Sequence, residues 1–395
     1  NGIEGSNNAP LWKKSPTRYE VKRMEKFNSR RSEFSPMLTG EKHDQLYFAS
    51  SRTKNKEAKL NAITGQYNNN FFQVKQDEKG NWLSPVELED EVNTDFDEGT
   101  PSFTADGNTM YYTYCSQDET GNRTSEIYVS NRSSAKWGKG SRVNIVKDSI
   151  TALGHPSISP DGKYLYFVSD AVGGFGGKDI YRCKISGSET GPMENLGEEI
   201  NTSGDEMFPY VRDSVTLYFA SNGHPGMGGL DLFKATKDSL GNWSVENMGF
   251  PINSSSDDFG ITFEGKKEKG FFSSNRNDAK GFDHLYSFEK PVITVHIEGF
   301  VNDVDEYPIE NAIVRIVGRD GLNAKVPTKK DGSYQVELER DIKYVMMASA
   351  QGYLNQNYEL HTSPEEKNET YIVDFYLSPI CLLYTSPSPR DAHES

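Results

Sequence analysis

The chain has 395 residues, a net charge of −15 and a mean hydropathy of −0.71. That acidity, without a basic patch, excludes nucleic acid as a partner, and apolar runs of only strand length exclude a membrane-spanning helix. The 21 Tyr, 21 Phe and 35 Gly suit a β-rich protein with many turns.

Residues 1–17 read as a linker. A short alternating stretch follows, RYEVKRMEKF at 18–27, ending in Phe27-Asn28-Ser29. From there the chain repeats itself. A first aromatic motif recurs as Leu46-Tyr47-Phe48, Met110-Tyr111-Tyr112, Leu165-Tyr166-Phe167, Leu217-Tyr218-Phe219 and Gly270-Phe271-Phe272, its centres 64, 55, 52 and 53 residues apart. A second motif follows each, as in Asp179-Ile180-Tyr181 and Asp231-Leu232-Phe233, and a third of the type Asn201-Thr202 or Asn253-Ser254 precedes the next unit. Four short strand-like runs per unit, at this period, predict the blades of a β-propeller. The last unit runs out after three strands, at Glu289, while 18–27 begins the chain with a strand that has no blade before it. The expectation is a five-bladed propeller over 18–290, its ring closed by the N-terminal strand so that no ring edge stays open.

Within the units, the stretch SPDG (159–162) puts a serine near a carboxylate. Its counterparts, Thr104-Ala105-Asp106-Gly107 and Val211-Arg212-Asp213-Ser214 among them, keep turn formers and lose the serine, so it reads as an a-to-b turn. The glycine-rich loops VGGFGGK (172–178) and HPGMGG (224–229) precede strands rather than a helix, so no phosphate cradle is expected. Their amides, around Phe175 and Met227, remain candidates for a partner's carbonyl groups. Four acidic residues, Glu33, Glu98, Glu206 and Asp258, recur just before the inner strand and converge around the axis. A ring of carboxylates suits Ca²⁺ or a basic peptide; recurrence in most blades favours the plainer role of capping turn amides. His155 stands at a repeated position before Pro156 and joins the candidate partner contacts. The other histidines have no ligand spacing, and no metal, cofactor or catalytic residue is expected. The insertion from Arg52 to Asn69 in unit one is polar, does not repeat, and is a further candidate contact surface. Cys115 and Cys183 lie in different units and are not expected to pair.

After Pro291 the period changes. About seven alternating strands in roughly 90 residues predict a separate, small Ig-like or prealbumin-like β-sandwich over 291–380. The end of the chain, CLLYTSPSPRDAHES (381–395), has neither strand nor helix period, and its first eleven residues resemble the translation of a sequencing adapter. It is set aside from the fold, with the natural protein expected to continue past Ile380.

SPDGKYLYFVSD with GGKDIY, and FPYVRDSVTLYFASNGHPGMGGLDLF, resemble the bacterial WD40-like repeats of TolB-type propellers. IEGFVND, PIENAIVRI, KKDGSYQVEL and AQGY resemble a carboxypeptidase-regulatory-like domain. Their order is similar to that of OmpA-family proteins of Bacteroidota, among them components of the type IX secretion and gliding machinery. The resemblance implies a periplasmic, outer-membrane-associated scaffold that binds protein partners of an outer-membrane complex. It also implies attachment to peptidoglycan through a domain not contained in this chain. On it rests the expectation that the chain is not an enzyme. The alternatives are a propeller hydrolase or lyase with its site at the channel mouth, or a ligand- or glycan-sensing module.

Overall fold

The computed structural model describes residues 2–53, 60, 65–89, 91–117, 123–133, 136–147, 150–365 and 367–380. The adapter-like segment 381–395 lies outside them, as do residues 54–59 and 61–64 of the blade-one insertion. The chain divides into two compact units, Asn1–Pro291 and Val292–Ser395.

The first unit is a five-bladed propeller. Each blade is an antiparallel sheet with its strands, a to d, running from the axis outward, in sequence order in all but the fifth. The inner strands a are Glu33–Thr39, Asp97–Phe103, Leu153–Ile158, Glu206–Val211 and Asp258–Phe263. Strand d of blade five is the N-terminal strand Glu20–Arg23, antiparallel to His284–Glu289, with Glu20 opposite Glu289 and Arg23 opposite Tyr286. The ring is thus closed by the first strand of the chain, as its unmatched pattern predicts. Each a-to-b connection is the tight turn expected. In SPDG the Ser159 hydroxyl bonds Asp161 at 2.6 Å, Asp161 accepts the Lys163 amide, and Gly162 takes a φ of 70° that its lack of a side chain allows.

Two segments depart from the sequence reading. The stretch read as a linker is helical from Gly2 to Lys14. Pro10, Gly2 and Gly5 hide it from propensity, and only Gly5 is buried, because its bare Cα lies against the Gly226 carbonyl of a blade-four loop. MENLGEEI in blade three yields a fourth strand of just Glu194–Asn195.

Hydrophobic packing is organised by seams. Each of the apolar clusters of this unit spans two neighbouring blades, as in the seam of Leu165, Phe167 and Tyr181 with Tyr111 and Ile127. The closing seam joins Leu46, Phe48, Phe72 and Val74 of blade one to Phe271 and Leu285 of blade five, and Phe27 lies between them, fully buried. Beside it, Asn28 pairs with both backbone groups of Leu285, accepting its N–H at 2.7 Å and donating to its carbonyl at 2.9 Å.

The second unit is a β-sandwich. One sheet holds Val295–Asp303, Ser333–Leu338, Glu369–Ile372 and Phe375–Leu377; the other holds Ile313–Gly318, Asn323–Pro327, Lys343–Ser349 and Gln356–His361. Ile297, Val314, Ile316, Tyr334, Met346 and Phe375 fill the space between them.

Phe27 is the fixed point of ring closure. Phe27→Ala should cost about 3–5 kcal/mol of propeller stability, measured by urea unfolding. It should also increase proteolysis at the N-terminal strand more than an equivalent deletion in the sandwich, such as Ile316→Ala.

Candidate functional site

The inner strands shape the axis. Each carries a β-bulge at the same place, and the residue there has a left-handed backbone: Ser35 (φ 52°), Thr100 (50°), His155 (48°), Phe208 (53°) and Gly260 (60°). With the residues that follow them, four of them prolines, these five close the channel to a waist of about 20 Å³, enough for a single water. Each strand a is the innermost edge of its sheet, so alternate N–H groups point to the axis instead of into the ladder, and buried N–H groups need partners. The neighbouring blade supplies them. Ser102 Oγ accepts the Ile158 amide at 3.0 Å, Ser157 Oγ the Val211 amide at 3.0 Å, Tyr210 the Phe263 amide at 3.4 Å, and Thr262 Oγ1 the Leu38 amide at 3.2 Å. Blade one has Met37 at the corresponding position.

His155 belongs to this waist. Its Nδ1 accepts the Phe208 amide at 3.2 Å and its ring stacks on Phe208 with centroids 4.0 Å apart. Burial, with Lys178 nearby, pushes its pKa down to about 3, so it stays neutral and serves as an acceptor. Where blades two and five carry Thr113 and Ser273 on strand b to receive the next blade's amide, blade three carries Val168, and His155 takes over that role.

The four recurrent carboxylates do not form a ring open to a partner. Glu33, Glu98, Glu206 and Asp258 are between 0% and 1% exposed. Glu33 accepts the Ser29 amide at 2.8 Å and pairs with Arg52 at 2.9 Å. Glu206 accepts the Thr202 amide and the hydroxyls of Thr202 and Ser221, each at 2.7 Å. Asp258 accepts the Ser254 amide at 2.6 Å and pairs with Arg276. Glu98 takes the Thr94 hydroxyl, and burial pushes its pKa up to about 8. Each carboxylate thus caps the connector entering its own blade, and the partner-contact reading is corrected for all four because they are sealed from solvent.

The glycine-rich loops are corrected in the same way. The amides of Phe175 and Gly176 point back to Asp179 at 2.6 and 3.1 Å, and those of Met227 and Gly228 to Asp231 at 2.8 and 2.9 Å. Their donors are consumed within the chain. Phe175 is itself exposed and Met227 half-buried, but neither lines a cavity on the axis.

The concave surface on the side where the inner strands begin, the entry mouth, is built elsewhere. A cavity of about 380 Å³ opens there, leaning toward blades one and two. Its walls come from Ser32 and Phe34, from Gln66, Tyr67 and Asn69 of the blade-one insertion, from Asp97, Cys115, Thr124 and Ser125 of blade two, and from Asp283 of blade five. Asp97 Oδ1 accepts the Asn69 amide at 2.8 Å, which fixes the end of the insertion to the neighbouring blade. Arg31 lies over the Tyr67 ring at 4.8 Å and orients it. Asp283 is held by its backbone, its amide donating to Ser32 Oγ at 3.3 Å and its carbonyl accepting the Glu33 amide at 2.9 Å. Burial, and then the charge of Asp257, push its carboxyl up to about 6. Asp283 and Tyr67 do not repeat around the ring, whereas Asp97 has counterparts in Asp205 and Asp257, each one residue ahead of its blade's buried acid. Asp283 sits one residue ahead of His284, and an alignment of the units that marks single-blade exceptions would have found it and Tyr67. Among the described residues no group of His, Cys, Asp and Glu side chains is arranged to hold a metal.

No family model matches the chain, and no curated protein matches it. Solved structures do. A family 117 glycoside hydrolase from the marine bacterium Zobellia galactanivorans superposes with a TM-score of 0.47 at 14% identity, covering 69% of this chain and 89% of that one. A thermostable family-43 glycoside hydrolase gives 0.43 at 14% identity over 68% and 91%. TolB from Acinetobacter baumannii gives 0.37 at 20% identity over 67% and 58%. The expectation of a non-enzymatic chain is corrected against these neighbours, two of which are glycoside hydrolases.

The raised pKa of Asp283 has a testable sign. The folded state holds a proton up to about pH 6 that the unfolded chain releases near its ordinary value of about 4, so stability falls as pH rises between these values and stays lower above them. Asp283→Asn removes that loss. At pH 7 the variant should be more stable than the parent by about 1–2 kcal/mol, and at pH 4 equally stable, by urea titration at both pH values.

Proposed function

We propose that the propeller binds a hydroxyl-rich ligand of the carbohydrate class in its entry mouth. One observation carries this reading: two aromatic rings, two carboxylates, two side-chain amides and three serine or threonine hydroxyls surround a single concave space of about 380 Å³. That volume lies within the range of small-molecule pockets. A sugar presents C–H faces that suit Tyr67 and Phe34, and hydroxyls that both donate and accept. Asp97 and Asp283 accept from such hydroxyls, while Gln66 and Asn69 do either. Asp283, titrating near neutrality, has the property asked of a general acid or base. The same geometry therefore serves binding alone or binding with glycoside cleavage.

For the whole protein we propose the setting that the sequence resemblance implies, a PorE-like component of the type IX secretion machinery in the periplasm. Fractionation of cells producing the full-length gene product, and identification of proteins cross-linked to it, test that setting.

The ligand reading is tested with an oligosaccharide array followed by calorimetry and by product analysis on each saccharide that binds. At least one saccharide should bind saturably. Tyr67→Ala and Asp283→Asn should each weaken it about tenfold or more without lowering the thermal midpoint. Failure of every saccharide to bind, or equal binding by both variants, overturns the proposal.

A further inference from the structure

The opposite end of the axis, where the a-to-b turns converge, is a second concave surface. It encloses about 320 Å³ and takes residues from all the blades. In its depth lie Ser102 and Ser157, only 3% and 2% exposed. Each hydroxyl spends a lone pair on the next blade's amide, Ile158 and Val211, at 3.0 Å. A serine hydroxyl also has a proton to donate, and neither of these has an acceptor among the described residues.

Around them the side chains are mostly basic. His43, Arg212 and Lys266 line the mouth. Arg212 is committed to Glu268 at 2.7 Å and to the Lys267 carbonyl at 3.0 Å. The exposed Lys266 has no carboxylate partner among the described residues. The one carboxylate in the lining, Asp213, turns an oxygen to the Val215 amide at 2.9 Å within its own turn. His43 leans on the bare Cα of Gly265, where an added Cβ would stand 3.1 Å from the imidazole, and this contact holds it between blades one and five.

On a chain of net charge −15, this collects buried donors and cations in one concavity. We propose that the turn mouth binds a compact oxyanion, the carboxylate or phosphate group of a small molecule. Ser102 and Ser157 donate to its oxygens, Lys266 balances its charge, and His43 offers an imidazole N–H. The site is separate from the entry mouth and does not depend on what binds there.

Calorimetric titration of the whole chain with inorganic phosphate, and separately with citrate, tests this at low ionic strength. Saturable binding of either anion is expected, and which one binds identifies the source of the charge. Lys266→Ala, an exposed change that leaves the fold intact, should weaken binding about tenfold. Lys163→Ala, on a neighbouring turn but outside the lining, should leave it unchanged. Ser102→Ala with Ser157→Ala should abolish binding; should that pair not fold, Lys266→Ala decides. The proposal is overturned by the absence of saturable binding for both anions, or by equal loss in the two lysine variants.

Discussion

The propeller depends on the amides that its inner strands turn toward the axis. Strand a is the inner edge of its sheet, and leaving its axis-facing N–H groups bare inside the protein would cost on the order of 1–3 kcal/mol each. The hydroxyls of Ser102, Ser157, Tyr210 and Thr262 satisfy them from the next blade. No blade is therefore complete by itself. The apolar clusters obey the same logic, since each is shared across a seam rather than enclosed within a sheet. The ring is the smallest unit in which both polar and apolar groups are matched.

The connectors extend this outward. Asn28, Asn93, Asn201 and Asn253 each pair with both backbone groups of a strand c residue, for example Asn201 with Ile180 at 2.8 and 3.0 Å. The hydroxyl residue that follows is held by the acid four positions on. The acids so conspicuous in the sequence are thus fasteners of the chain to itself. The entry cavity is assembled where the fastening pattern is supplemented by side chains that occur once.

The architecture was legible because propeller blades are repeats, and a repeated aromatic motif reports both the blade count and the unmatched first strand. The short outer strands and the helix Gly2–Lys14 were not. The former have too few residues to alternate, and the latter is held where Gly5 meets the Gly226 backbone rather than by an amphipathic face. The site was legible only in outline. The insertion Arg52–Asn69 stood out by failing to repeat, and it contributes Gln66, Tyr67 and Asn69. Asp283 was overshadowed by His284, because a search for recurring residues selects what every blade needs and passes over what one blade adds; Asp97, which recurs as Asp205 and Asp257, was overshadowed by the acid beside it, Glu98. The inward turn of the Phe175 and Met227 amides was invisible for a related reason: the carboxylates that capture them, Asp179 and Asp231, read simply as strand starts.

Closure by the N-terminal strand also orders the protein's birth. Glu20–Arg23 leaves the ribosome ahead of the rest of the propeller, yet its partner His284–Glu289 closes the last blade. Until that blade has emerged, blade one lacks its closing neighbour and blade five its outer strand. Blades formed earlier hold an arc with two exposed ends, and non-local pairing of this kind is slow and leaves strand edges open to other chains. A nascent chain halted before residue 284 cannot complete the ring, so the final stretch of propeller synthesis is the step at which its two ends cease to be available to other strands.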